Sequence, residues 1–96
     1  PFIPKDYISS WAQYSLLAYS TEHRSKIMKS LKEKNIPSMI YYRIPLHLQK
    51  VFRYLGYEQG DFPITEKISN CIFSVPFHPY LNKNQQNKVI EIINNE

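Results

Sequence analysis

The chain has 96 residues, 43% of them hydrophobic, and a net charge of +4 at pH 7. That length supports one small domain with a single core, near the size where burial only just offsets chain entropy, and it leaves no room for a second domain within these residues. One cysteine, Cys71, excludes an internal disulfide; only two glycines, Gly56 and Gly60, exclude a glycine-rich phosphate loop; and no apolar run approaches the ~20 residues a bilayer requires.

From Trp11 to Tyr19 aromatic and aliphatic residues fall on both sides of the chain with no glycine or proline, which predicts a strand covered at least partly on each side. A helix follows, with Thr21 placed to cap it, Glu22 in its first turn and Lys32 and Lys34 in its last, as the helix dipole prefers. Asn35 before Ile36-Pro37 stops it. Lys26, Lys29, Lys32 and Lys34 alternate with Ile27, Met28 and Leu31 at helical spacing, so the positive charge reads as a solvated face and not as a nucleic-acid surface. Ser38 to Tyr42 is a second apolar run of strand length, closed by Pro45.

Leu48, Val51, Phe52 and Leu55 stand at i, i+3, i+4 and i+7, the stripe of an amphipathic helix ended by Gly56. Gly60-Asp61-Phe62-Pro63 is turn chemistry, and Ile64, Ile68 and Cys71 predict a short helix with Pro63 in its first turn. Ile72 to Val75 reads as a third strand cut by Pro76. Asn82 with Gln85 three residues on is a capping-box variant that opens a final helix, with Val89, Ile90, Ile92 and Ile93 on one side. Strands and helices mixed in this order predict a small α/β layer domain.

Few residues carry obvious chemistry. No pair of cysteines and no His-x-x-x-His spacing offers zinc ligation, and Cys71, in an apolar segment, reads as a small buried hydrophobe. Lys32 falls on the polar side of its helix and reads as a surface lysine. His23 reads as a surface residue, and His78, between Phe77 and Pro79, as a packing residue. His47 follows the Pro45-Leu46 turn, where a histidine either faces a ligand or caps the Gln49 region.

Five segments then occur in a telling order: Trp11-Ala12-Gln13-Tyr14-Ser15, Tyr41-Tyr42-Arg43-Ile44-Pro45-Leu46-His47-Leu48-Gln49, Leu55-Gly56-Tyr57, Gly60-Asp61-Phe62-Pro63 and Ser74-Val75-Pro76-Phe77-His78-Pro79-Tyr80-Leu81. As an ordered set, from about Ser9 to Asn94, they resemble the C-terminal region of the DegT-type, pyridoxal-phosphate-dependent sugar-nucleotide aminotransferases. The resemblance implies that residues 1–96 form the small C-terminal domain of such an enzyme. Its sheet would have about three strands, partly antiparallel, packed with about four helices. The large N-terminal domain, with the pyridoxal phosphate and its lysine, would lie upstream of this chain.

By the same resemblance the full-length protein is a cytoplasmic homodimer that transfers an amino group, from glutamate, to a nucleotide-linked keto sugar for bacterial surface polysaccharide such as lipopolysaccharide O-antigen. The fragment would be inactive alone and hold no catalytic, cofactor-binding or metal-binding residue. The opening on Pro1, with no charged and apolar leader, accords with this expectation. Neither nucleic acid nor membrane insertion is expected.

The resemblance assigns the nucleotide-sugar contact to the segment of Tyr41, Tyr42, Arg43 and His47. Adjacent tyrosines at a strand end can donate hydrogen bonds to sugar hydroxyls or phosphates while their rings pack, although partly buried core tyrosines would look the same in sequence. Tyr41 stands where the family has histidine, replacing a group that titrates near neutrality with a phenol that does not. Arg43 stands where the family has proline and supplies a planar cationic fork suited to a carboxylate or diphosphate; a solvated arginine is the plainer reading.

Two other readings fit the composition. A stand-alone basic module could hold single-stranded nucleic acid with Tyr41, Tyr42 and Tyr54 beside Arg43 and Arg53, and a non-catalytic oligomerisation domain could use the exposed aromatics as its contact surface.

Overall fold

The computed structural model describes residues 2–96. Its sheet is built from two four-residue strands, β1 (Tyr14–Leu17) and β2 (Ile72–Val75), paired antiparallel with Leu16 opposite Phe73 and Ser15 opposite Ser74. Three α-helices accompany it: α1 (Thr21–Glu33), α2 (Pro63–Cys71) and α3 (Lys83–Asn94). The α/β class expected from the sequence is the class found.

The alternation of the strands decides which residues enter the core. Phe73 is buried and Leu16 and Val75 half-buried on the face that meets α1 and α3, while Ser15 and Ser74 lie on the other and join their hydroxyls at 2.8 Å. Ala18, Ile27, Leu31, Phe73 and Val89 form the buried cluster, edged by Met28, Ile36, Ile40, Ile92 and Ile93. Ile27 and Leu31 are one turn apart on α1 and essentially without solvent contact, and burial of side chains this size contributes about 1.5–3 kcal/mol each.

The helix ends follow local chemistry. Ser20, not Thr21, caps α1: its hydroxyl accepts the His23 N–H at 3.1 Å, and Thr21 is the first helical residue. His23, expected at the surface, is half-buried, stacked on Tyr19 with ring centroids 5.1 Å apart, and takes the Tyr19 N–H on Nδ1. Asn35 adopts a left-handed φ of 57° just past α1 and ends it as its type predicts. Asn82 and Gln85 form the reciprocal capping box of α3, both bonds 3.0 Å, and Pro63 occupies the first turn of α2.

Three expectations are revised. The first strand begins at Tyr14 and not Trp11, whose φ of 48° breaks the extended chain, and its outer face is open, with Leu17 exposed. The second predicted strand, Ser38 to Tyr42, contributes a single bridge, in which Met39 and Ser74 exchange backbone bonds of 3.0 and 2.7 Å. The third concerns Leu48 to Leu55, which is not an α-helix. It forms two 3-10 stretches, Leu46–Leu48 and Lys50–Leu55, parted by the extended backbone of Gln49. Val51 and Leu55 are 67% and 50% exposed while Leu48 and Phe52 are half-buried, so only part of the apolar stripe is packed among the described residues. Amphipathic helices draw most of their stability from that packing.

Candidate functional site

Between the Met39 bridge and the first 3-10 stretch the chain forms a span that carries the predicted ligand residues. At one end Met39 is tied to β2 through Ser74. At the other, Pro45 is buried and His47 reaches α2, where its Nε2 lies 3.0 Å from Oε1 of Glu66. The Gln49 side-chain amide donates to the Ile44 carbonyl at 3.1 Å and folds the span back on itself.

Tyr41, Tyr42 and Arg43 are exposed on this span, as is the adjoining Ile44. The two tyrosine rings meet edge to face, centroids 6.2 Å apart, and flank a crevice of about 270 Å³ that also touches Leu46 and the Ile68 side of α2. Arg43 opens onto a neighbouring pocket of about 250 Å³ with Gln59, Glu66 and Asn70. Its guanidinium takes no ion pair among the described residues, which leaves a permanent cation and five donors for an outside anion.

His47 is placed differently from its three companions. Its side chain is 8% exposed and that of Glu66 17%, and Phe62 covers the imidazole with ring centroids 4.8 Å apart, backed in turn by Tyr57 at 5.0 Å. Glu66 Oε1 also accepts the Gly60 N–H at 2.8 Å. That backbone bond, foremost, holds the Glu66 carboxyl below the usual carboxylate range; partial burial opposes the shift and the His47 contact adds to it. Gly60 can turn its N–H inward because it sits at φ 100°, a conformation open to glycine, while Asp61 accepts the Glu58 N–H at 2.8 Å to brace the turn.

The sequence reading passed over two residues that shape this region. Glu66 is the acid in the first turn of α2, a position that the helix dipole favours. Arg24 is buried and donates from Nη1 to the carbonyls of Ser69 at 2.8 Å and Ile72 at 3.4 Å. It thereby satisfies acceptors left open where α2 runs into β2. The signal for Arg24 was its place in the apolar stripe of α1, three residues before Ile27 and seven before Leu31.

The remaining candidates stand apart. His78 is exposed and lines an apolar crevice between the end of β2 and α3, together with Tyr14 and Phe77. Cys71 is half-buried at the end of α2. No group of three metal-ligating side chains occurs among the described residues, nor is any described helix long and apolar enough to cross a membrane.

The chain belongs to the DegT/DnrJ/EryC1/StrS aminotransferase family, whose model matches residues 2–94. A DegT/DnrJ/EryC1/StrS aminotransferase from Brucella abortus superposes with a TM-score of 0.83 at 38% identity, covering 99% of this chain and 25% of that one. The "pleiotropic regulatory protein" of Geobacillus stearothermophilus is 37% identical over 94% of this chain and 24% of its own length. A dTDP-3-amino-3,6-dideoxy-alpha-D-galactopyranose transaminase of Aneurinibacillus thermoaerophilus is 31% identical over 98% of this chain and 24% of its own. The chain thus spans about a quarter of the length of the relatives it matches.

The family depends on pyridoxal phosphate. The residues described here do not fit that group: it requires a lysine poised for a Schiff base beside a phosphate cradle and a buried acid for the ring nitrogen. Every described lysine is exposed, and the half-buried Glu66 is committed to Gly60 and His47.

Proposed function

We propose that this chain is the small C-terminal domain of a pyridoxal-phosphate-dependent aminotransferase that acts on a nucleotide-linked keto sugar. The amino donor, glutamate in this reading, becomes a 2-oxo acid as the sugar ketone becomes an amine. The cofactor and its lysine belong to a large N-terminal domain outside these residues. The domain contributes Tyr41, Tyr42 and Arg43 to the ligand, with His47 acting from the base of the same span. The enzyme works as a cytoplasmic homodimer, its product an amino sugar for bacterial surface polysaccharide, including lipopolysaccharide.

The observation that carries this reading is the Arg43 guanidinium, without an ion pair among the described residues, beside two exposed tyrosines in a chain of this family. A cationic fork flanked by phenols suits the diphosphate and hydroxyl groups of a nucleotide sugar. The name of the Aneurinibacillus relative, a transaminase of a dTDP-linked sugar, supports the substrate class. The many exposed apolar side chains, Val51, Ile64 and Tyr54 among them, support a domain that covers part of its surface with the rest of an enzyme.

The test uses the full-length protein. It should take up pyridoxal phosphate, gain the visible absorbance of the bound cofactor, and convert glutamate to 2-oxoglutarate when supplied with a UDP- or dTDP-linked keto sugar. A colourless protein inert toward both sugars would end the proposal.

A further inference from the structure

Glu66 binds two parts of the chain at once. One carboxylate oxygen accepts the Gly60 N–H at 2.8 Å and faces His47 Nε2 at 3.0 Å. His47 follows the exposed ligand span by only a few residues, and the far end of that span is pinned by Met39 to Ser74. A span with one end fixed to the sheet and the other to a helix has far fewer accessible conformations than a free loop of the same length. Arg43, near the middle, makes no ion pair among the described residues to hold it in place. Its location follows from these two anchors together with the Gln49 bond to the neighbouring Ile44 carbonyl.

We propose that Glu66 is a positioning residue: through His47 it holds the Tyr41–Arg43 span at α2, so that the Arg43 guanidinium is presented to the anionic part of the ligand. This rests on the ligand role proposed above for Arg43. Phe62 shields the imidazole from water on one side, its ring centroid 4.8 Å from that of His47. Shielding strengthens the bond at the anchor and slows its exchange with solvent. Preorganisation of this kind lowers the ordering cost that binding would otherwise carry.

The test is made on the full-length protein with two substitutions. Glu66→Leu removes the acceptor for both donors, whereas Glu66→Gln keeps a side-chain oxygen at the same reach. Amide hydrogen exchange read by mass spectrometry should quicken in peptides covering residues 40–49 by roughly tenfold in Glu66→Leu, with α1 and α3 unchanged. Calorimetric titration with UDP and with dTDP should show the dissociation constant of whichever binds rising by about tenfold, and Glu66→Gln should restore most of both effects.

Unchanged exchange at 40–49 overturns the proposal, as does an increase shared equally by α1 and α3, which would mark Glu66 as a general stabiliser. Local loosening with unaltered nucleotide affinity also overturns it when Arg43→Ala does weaken binding. If Arg43→Ala leaves affinity untouched, the ligand role of Arg43 is refuted and the positioning role with it; the exchange result then tells whether the anchor itself exists.

Discussion

Arg24 Nη1 donates to the Ser69 carbonyl at 2.8 Å, joining the first turn of α1 to the end of α2 across 45 residues of sequence. The Arg24 side chain is buried, yet among the described residues it meets carbonyls and no carboxylate. Arg24→Met should keep the packing volume but strip both acceptors, at a cost of about 1.5–3 kcal/mol in denaturant unfolding. Arg24→Lys should recover part of it.

The acid response should trace to Glu66. Its folded-state carboxyl titrates below its unfolded-state value, so it contributes stability above the unfolded value that is lost as pH falls through the folded one. Glu22, lowered chiefly by the Ser20 hydroxyl, acts in the same direction. Unfolding midpoints measured through the acid range should therefore fall less steeply in Glu66→Gln than in the unaltered chain. Parallel curves would show that Glu66 titrates alike in both states.

Asn82 accepts the Gln85 N–H while Gln85 returns a bond to the Asn82 N–H. Asn82→Ala should cost about 1 kcal/mol, with the loss of protection confined to the first turn of α3. Hydrogen exchange at Lys83 to Gln86 would report it.

Arg43→Lys separates charge from shape. The ammonium keeps the positive charge but not the planar fork, so nucleotide affinity should weaken by about three- to tenfold relative to arginine, short of the loss in Arg43→Ala. Titration with UDP or dTDP at two salt concentrations would check both the affinity and its electrostatic share.

The core was legible where side-chain period and burial agree: Ile27, Leu31 and Val89 lay on helix faces read as apolar, Phe73 lay in a segment read as a strand, and Asn82 and Asn35 marked helix ends through their own chemistry. Leu48 to Leu55 misled because a stripe at i, i+3 and i+7 states only which residues would be buried together, not whether a surface exists to bury them. Met39 formed one bridge in place of a strand because a short apolar run does not specify how many partner residues lie opposite. For the candidate site, the span from Tyr41 to His47 was visible as a motif, whereas Glu66 was not. Its importance depends on Gly60 and His47 converging on one oxygen, a coincidence in space that no local pattern encodes.

Ser74 meets Met39 with its peptide group and Ser15 with its hydroxyl, and Ser15 lies 59 residues away along the chain. Contacts of such separation demand that a long stretch of polypeptide be gathered before any reward is returned, so this junction should close late in folding, after α1 and α3 have acquired their turns. During synthesis the two short strands would then wait for one another across almost the whole chain, and pulse-labelled exchange should find the amide of Ser74 among the last to become protected.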